Sequence, residues 1–469
     1  MKPVFIAAAC AAALAGCATT PTATPPSALT SPPASWSVTG LGVQPAPNDW
    51  WTVLGSPELN ALVSAALARN TDLKAAEANL RAAQAVVREA RATQMPLGGV
   101  GADGRRQRVA ALSQPLAPGS PRRFEDQSIV EISGELSWEI DLAGRLAAAN
   151  RAAKADAEEA RWLSRQVAHA TIAATVRAFA EHQAAQQQQR LLDARIQQLS
   201  LIARRLEIAH QAGATARSDA AAAEETLQAL SAQRPELEVR RRNAARRLAV
   251  LTGQVPDPQI VAAARVVEEP QTLDAGDPRE MLRRRPDVAA AEQRMAGALA
   301  RAGVARADLY PRITLVGLGG LAAAPGDLDQ AGASAFSIGP RLSWGVFDLG
   351  RIKARIALAD AQSDVALAEW EGTVLKALEE ADGALDAWDG ARRAAAAAGR
   401  AEAAAQESRR LARARRDVGT ASALDEARAE FNWLSAQSQA QDARARRLDA
   451  WINAQMALGS GFGEGPSQP

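Results

Sequence analysis

The stretch Ser137-Trp138-Glu139-Ile140-Asp141-Leu142-Ala143-Gly144-Arg145 returns 206 positions later as Ser343-Trp344-Gly345-Val346-Phe347-Asp348-Leu349-Gly350-Arg351. Gly213 and Asp219 return at the same offset of 206 as Gly419 and Asp425. Upstream, Asn70-Thr71-Asp72-Leu73, with Glu77 and Pro96, matches Arg285-Pro286-Asp287-Val288, with Glu292 and Pro311, at an offset of 215. A nine-residue length difference between Pro96 and Ser137 reconciles the two offsets. Three blocks in the same order make a duplication, with halves of roughly 210 residues.

Each half follows one plan. A helical segment (57–95 and 278–309) ends at a Pro, a Gly-rich segment follows, and then comes a strand of period two. In the first copy Val130, Ile132, Leu136, Trp138 and Ile140 alternate with Glu131, Ser133, Glu135, Ser137 and Glu139. In the second, Phe336, Ile338, Leu342, Trp344 and Val346 alternate with Ser337, Gly339, Arg341, Ser343 and Gly345. Such a strand has one apolar and one polar face. It fits a soluble sheet packed on a helix, and equally a barrel strand with its apolar face toward lipid.

A very long helix comes after each strand. Residues 145–212 contain neither Gly nor Pro, which is ~100 Å of helix at 1.5 Å per residue. Within it Leu192, Ile196, Leu199, Ala203 and Leu206 form a coiled-coil seam. Gly213 breaks the helix, and a second one returns from about Ser218 to Leu251 with Leu237, Ala244, Leu248 and Leu251 on one stripe. In the second half residues 341–465 contain no Pro, and Gly419 marks the turn. Small Ala at the seams lets many helices pack side by side into a curved wall.

Two hairpins give four strands per chain, and the smallest membrane barrels have about eight. Open edges in lipid leave backbone groups unpaired at several kcal/mol each, so strands that span a membrane require oligomerisation. Arithmetic alone does not choose between two copies and three.

The composition of the 469 residues excludes several classes. Hydrophobic residues make up 47% but aromatics only 4%, with a single Tyr, and 23% charged residues balance to +1. Such an Ala-rich, charge-balanced chain reads as long helices. A nucleic-acid partner acting through counterion release is not expected of it. Two Cys and three His leave little for a disulfide framework or a zinc site, and no cofactor or metal is expected. Lys2 followed by the apolar run Val4 to Ala15 reads as a secretory signal, too short to span a bilayer. Leu14-Ala15-Gly16-Cys17 resembles the bacterial lipoprotein processing box, in which Cys17 is lipidated after removal of residues 1–16. Ala18 after it resembles lipoproteins sorted to the outer membrane. Seven prolines among residues 18–47 make an extended spacer that lets an anchored N-terminus reach a body beginning near Asp49-Trp50-Trp51.

These landmarks together resemble a TolC-like outer-membrane factor of tripartite efflux systems, and most closely its lipoprotein (OprM/NodT-type) branch. The residues that carry the resemblance are Asp49-Trp50-Trp51, Ser137 to Asp141, Gly144-Arg145, Arg285 to Val288 with Ala291-Glu292, Trp344 to Arg351, Val418-Gly419-Thr420 and Leu458-Gly459. The resemblance implies a mainly α fold with membrane β, internally duplicated. In it a long coiled-coil helical barrel joins four β-strands per chain, which contribute to a trimeric 12-stranded outer-membrane β-barrel. It implies a lipid-anchored homotrimer in the outer membrane extending into the periplasm. It also implies an exit duct that catalyses nothing, with a periplasmic adaptor and an inner-membrane pump of the resistance-nodulation-division (RND) class as partners. The segments are then a signal peptide (1–16), a lipidated Pro/Thr-rich spacer (17–48), a first efflux repeat (49–253), an equatorial connector (254–277), a second efflux repeat (278–460) and a disordered tail (461–469). Trp138 and Trp344 are expected on the lipid-facing strands.

In the resemblance, both turns lie at the periplasmic end, so Gly213, Asp219, Gly419, Thr420 and Asp425 belong to the tip. Asp425 occupies the position of an aspartate that rings the closed aperture. Three copies of one carboxylate crowd negative charge, favour cations and raise the pKa of some members. Alternatively Ser218, Asp219 and Asp425 cap the returning helices. Two positions depart from the family pattern: Arg428 replaces a second aspartate, and Arg416 a tyrosine. An ion pair of Arg416, or Arg415, with Asp219 would hold the tip shut.

Other clusters point to no chemistry. His169, His182 and His210 stand 13 and 28 positions apart, without ligand-like spacing. Arg240 to Arg242 with Arg246-Arg247 read as a solvated helix face, and Gln186 to Gln189 as a polar surface. Two alternatives compete with the duct, a periplasmic coiled-coil adaptor lipoprotein and an envelope hydrolase. The adaptor has a single helical hairpin where this chain has two, and the hydrolase lacks a catalytic constellation.

Overall fold

Two hydrogen bonds explain why the repeated stretch turns a strand into a helix. In the computed structural model Asp141 accepts from the backbone N–H groups of Leu146 (3.1 Å) and Ala147 (2.8 Å), donors that a helix start leaves unpaired. Gly144 supplies the left-handed backbone (φ 72°) of the turn. The second copy makes the turn differently, with a 3-10 turn Val346–Asp348 running straight into a helix that includes Gly350.

The structure describes residues 33, 35–42, 44, 48–108, 126–259, 267 and 270–461. In order these form α1 (Pro57–Arg69), α2 (Thr71–Ala92), β1 (Leu97–Arg108), β2 (Asp126–Ile140), α3 (Arg145–Gln211), α4 (Arg217–Ser231) and α5 (Arg234–Leu251). The second copy supplies α6 (Pro278–Arg284), α7 (Pro286–Ala307), β3 (Arg312–Ala323), β4 (Ser334–Ser343), α8 (Leu349–Asp417) and α9 (Ala423–Ala457). Cys17 lies outside the described residues, as does 462–469 of the expected tail. Among the described residues no helix is long and apolar enough to cross a membrane, which says nothing of strands.

The chain divides into two compact units. Of the described residues, one contains Arg81–Glu159 and Glu292–Glu369, and the other contains those up to Leu80, Ala160–Ala291 and those from Trp370 onward. The first unit is built on an antiparallel sheet in the order β1-β2-β3-β4, so the inner strand of each copy pairs with the other. Around it α7 is stitched to its neighbours by ion pairs, Arg301 to Asp156 at 2.9 Å and Arg306 to Asp360 at 2.7 Å.

The second unit has an apolar core of Trp50, Phe179, Leu248, Met281, Leu385, Trp451 and Ile452 among others, with Trp50 edge-on to Trp451 at 5.5 Å. Trp36, Val38 and Leu41 pack against it. Trp36 Nε1 donates to Gly276 O (2.9 Å), and Gly42 bonds to Leu273 and Ala275 (2.9 and 3.0 Å). The end of the expected spacer is therefore fastened to the body. A second apolar cluster joins Leu192, Leu199, Ile202, Ala203 and Leu206 of α3 to Ala220, Ala223 and Leu230 of α4. This is the expected seam.

Three helices expected to be continuous are broken. The 57–95 segment breaks at Asn70, whose Oδ1 accepts from Asp72 N (2.9 Å) and Leu73 N (3.0 Å) and caps α2. The 278–309 segment breaks at Arg285, which precedes Pro286 and is extended (φ −65°, ψ 121°) as the proline ring demands. The returning helix of the first copy breaks before α5, where Pro235 lacks an N–H. Its counterpart α9, without a proline, runs unbroken for 35 residues.

Candidate functional site

Residues directly opposite on antiparallel strands share a face of the sheet, so the register sorts every side chain. One face carries Ile132, Leu136, Trp138 and Ile140 of β2, which sit opposite Leu321, Gly317, Leu315 and Ile313 of β3. It continues through Phe336, Ile338, Pro340 and Leu342 of β4 and through Val100 and Ala102 of β1. In the single chain this face lies bare, with Val100 86%, Phe336 87% and Ile338 69% exposed. An apolar patch of this extent marks a surface that meets lipid or protein. The band runs from Val130 to Ile140, which suits the ~9–11 tilted residues of a membrane strand. Beyond it on the same face stand Arg106, Arg108 and Asp126, with Arg108 bonded to Asp126 at 2.6 Å.

The opposite face is polar, interrupted by Leu97, Ile129, Val316 and Leu318. On it Arg105 pairs with Asp103 (3.0 Å) and Glu131 (3.2 Å), and Glu135, Glu139 and Arg341 stand farther along the same face. β1 and β4 each have one edge without a partner strand among the described residues.

The two tryptophans are held through their indoles. Trp138 Nε1 donates to Gln94 O (3.0 Å) and Trp344 Nε1 to Leu309 O (3.1 Å), so each indole ties its strand to the end of the preceding helix. Trp344 lies one residue past β4, not within a strand, because the chain already turns toward α8 at Gly345.

At the hairpin tips, Gly213 (φ 71°) and Gly419 (φ 77°) end α3 and α8 in the same way. Ala214 N bonds to Ala209 O and Thr420 N to Arg415 O, each at 2.8 Å. Asp219, third in α4, accepts from Thr215 Oγ1 at 2.8 Å. Asp425, third in α9, completes a capping box. Its carboxylate accepts from Ser422 Oγ (2.7 Å) and Ser422 N (3.0 Å), and Ser422 Oγ accepts from Asp425 N (3.1 Å). The Ser422 side chain first, then its backbone N–H, hold the Asp425 carboxyl below the usual range, with Arg428 and Arg415 adding to the effect. Within one chain this is opposite to the raised value expected of a crowded ring. Ser218 is not a cap, since the N-cap of α4 is Ala216. The expected pair of Arg416 with Asp219 is replaced by Arg416 with Glu426. Glu426 opens the helix of the same hairpin, so the end of α8 finds its acid there.

His169 and His182 are buried on α3, and His210 Nδ1 lies 3.3 Å from Thr215 O. Among the described residues no group of side chains is arranged to hold a metal ion. Arg240 pairs with Glu181 (3.2 Å) across the expected solvated face. Gln188, assigned to a polar surface, instead bridges α3 to α9 through Ser438 O (2.9 Å) and Asp442 (2.6 Å). It borders a groove of about 990 Å³ that Arg195, Arg240 and Asp449 also line.

A bare apolar sheet joined to paired helical hairpins is matched by known proteins. A family model described as outer membrane efflux protein matches residues 62–254 and 278–460. The chain belongs to the outer membrane efflux protein family. This efflux protein is 30% identical over 450 residues to the pyoverdine export outer membrane protein OpmQ of Pseudomonas putida, covering 94% of each chain. It is 30% identical over 481 residues to outer membrane protein OprJ of Pseudomonas aeruginosa, covering 99% of this chain and 98% of OprJ. The solved outer-membrane channel OprN superposes with a TM-score of 0.81 at 30% identity, over 92% of this chain and 98% of OprN. The efflux protein is thus an outer-membrane exit duct of the TolC-like fold, and its family is one of ducts rather than enzymes.

Proposed function

We propose that the efflux protein works as a homotrimer whose twelve strands close one barrel in the outer membrane, continuous with a periplasmic tunnel of long helices. The observation that carries this reading is the four-stranded sheet, apolar on one face, polar on the other and without a partner strand at either edge among the described residues. Lipid on Cys17 anchors each chain. A periplasmic adaptor and an RND-class inner-membrane pump deliver the cargo, and the tip around Gly213, Asp219, Arg416, Gly419, Thr420 and Asp425 forms the periplasmic aperture. The export named for OpmQ supports small molecules as the cargo class, with the choice among them left to the pump. The test is biochemical. The protein should require detergent for extraction, have the mass of three chains in detergent and conduct ions in a planar bilayer. A water-soluble monomer after removal of the N-terminal segment would end the reading.

A further inference from the structure

Arg285 stands at the break between α6 and α7, with only 9% of its side chain exposed. Its counterpart 215 positions earlier is Asn70, at the break between α1 and α2. Asn70 Nδ2 donates to Leu251 O (3.1 Å), and Arg285 Nη1 donates to Ala457 O (2.9 Å). Leu251 and Ala457 are the last residues of α5 and α9, and they are 206 positions apart. Gly253 and Gly459, at the same spacing, both have positive φ (71° and 64°) and lie against Arg69 and Arg285. The duplication has therefore kept a clamp, in which a side chain at a helix break grips the carbonyl end of the returning helix.

The chemistry of the two clamps has diverged. Asp72 and Ala174 stand where the second copy has Asp287 and Glu380. Asn70 caps α2 and holds α5, and it has no hydrogen bond to α3. Arg285 instead takes Asp287 with two bonds (3.0 and 2.6 Å), and reaches α8 through Glu380 (2.7 Å) and Ala377 O (3.5 Å). Ion pairs join the long helices of both hairpins, through Arg234 and Asp193 and Arg240 and Glu181 in the first copy, and through Arg444 and Glu402, Arg409 and Glu430, and Arg416 and Glu426 in the second, but only the second clamp is itself charged.

We propose that Arg285 is a positioning residue of the duct: its grip on Glu380 and on the end of α9 sets the resting place of the α8–α9 hairpin, and loosening that grip favours the conducting state. The proposal rests on the duct reading above. One side chain joins both helices of this hairpin near the end of α9, so its release removes a tie that the apolar core alone does not supply. The Glu380 carboxylate is 59% exposed, so dissolved salt reaches this arm of the clamp, whereas a leucine seam is indifferent to screening.

The experiment compares full-length wild type, Glu380→Gln, Glu380→Ala and Arg285→Asn in planar bilayers. The open fraction is read at about 0.1 M and about 1 M KCl, between which the screening length falls from ~10 to ~3 Å. At low salt the Glu380 variants should raise the open fraction roughly threefold, in keeping with a partly exposed ion pair. They should also lose most of the salt dependence seen in wild type, and keep its oligomeric state and melting temperature. Arg285→Asn, which installs the first copy's chemistry, should go further. Should that variant fail to assemble, the Glu380 variants decide. Glu379→Gln, one residue away, should behave as wild type. Equal open fractions and equal salt dependence in wild type and Glu380→Gln would overturn the clamp alone. A wild type that conducts under no condition would overturn the duct reading and the clamp with it.

Discussion

His169 is 4% exposed on α3, and burial, then the charge of Arg285, push its imidazole down to about 4. In the unfolded chain the same ring titrates near 6.5. The unfolded state thus binds more protons as pH falls below 6.5, so the stability due to neutral His169 is complete above that value. It is lost progressively as pH falls toward 4. The melting temperature should drop across this window, and less steeply in His169→Gln. Equal slopes would show that His169 is not responsible. At the tip, Ser422→Ala removes the capping oxygen of α9 and should cost about 1 kcal/mol locally. Faster amide hydrogen exchange in the first turn of α9, with the rest unchanged, is the expected result. At this scale the sequence marked the tip aspartates but not the partners of Arg416. An ion pair within one hairpin depends on how the last turn of α8 meets the first turn of α9, and composition does not report that.

Among the elements, the long helices were legible because neither contains Pro, and α3 also lacks Gly and carries a seam of steps three and four. Their breaks were less so. Asn70 sits within an otherwise helical pattern, and only its side chain bonding to Leu73 N shows that a new helix starts there. Pro235 and Pro286 were visible as residue types, yet a proline in the first turn is equally at home in a helix start, so neither decided the matter alone. Two glycines separate the cost of backbone strain from the cost of contact. Gly213 and Gly253 share a φ of 71°, but nothing lies near a Cβ added at Gly213, whereas one at Gly253 falls 2.6 Å from Arg69 O. Gly213→Ala should lose roughly 1 kcal/mol through the left-handed backbone alone. Gly253→Ala should lose clearly more in thermal unfolding, because the α1–α5 junction must also spread. Equal losses would mean that the first clamp is not tightly closed.

For the whole molecule, the sheet decides where it can reside. Ile338 on the apolar face and its neighbour Ser337 on the polar face are adjacent in sequence and opposite in consequence. Ile338→Arg should impair outer-membrane assembly, since an Arg facing lipid costs about 2–4 kcal/mol at mid-depth. Ser337→Asp should assemble normally, as read by membrane fractionation. The alternation of β2 made these faces readable from the sequence, but it did not show where β4 stops. Trp344 continues the period two beyond the strand, because its indole is engaged with Leu309 O and not with a strand neighbour. With four strands per chain, the first strand of one copy meets the last of the next antiparallel for any number of copies. Strand pairing therefore leaves the copy number open.

If Cys17 is lipidated as proposed, the docked end of the N-terminal stretch makes the anchor a leash of limited length. Trp36, bonded to Gly276 O, lies nineteen residues after Cys17. At no more than ~3.4 Å per residue that stretch spans at most about 65 Å. If Cys17 carries the lipid, the membrane surface cannot lie farther than this from Trp36, whereas the 67 residues of α3 extend ~100 Å. The leash then acts as a depth stop, limiting how far the Trp36 docking point can drop below the bilayer before the barrel strands have inserted.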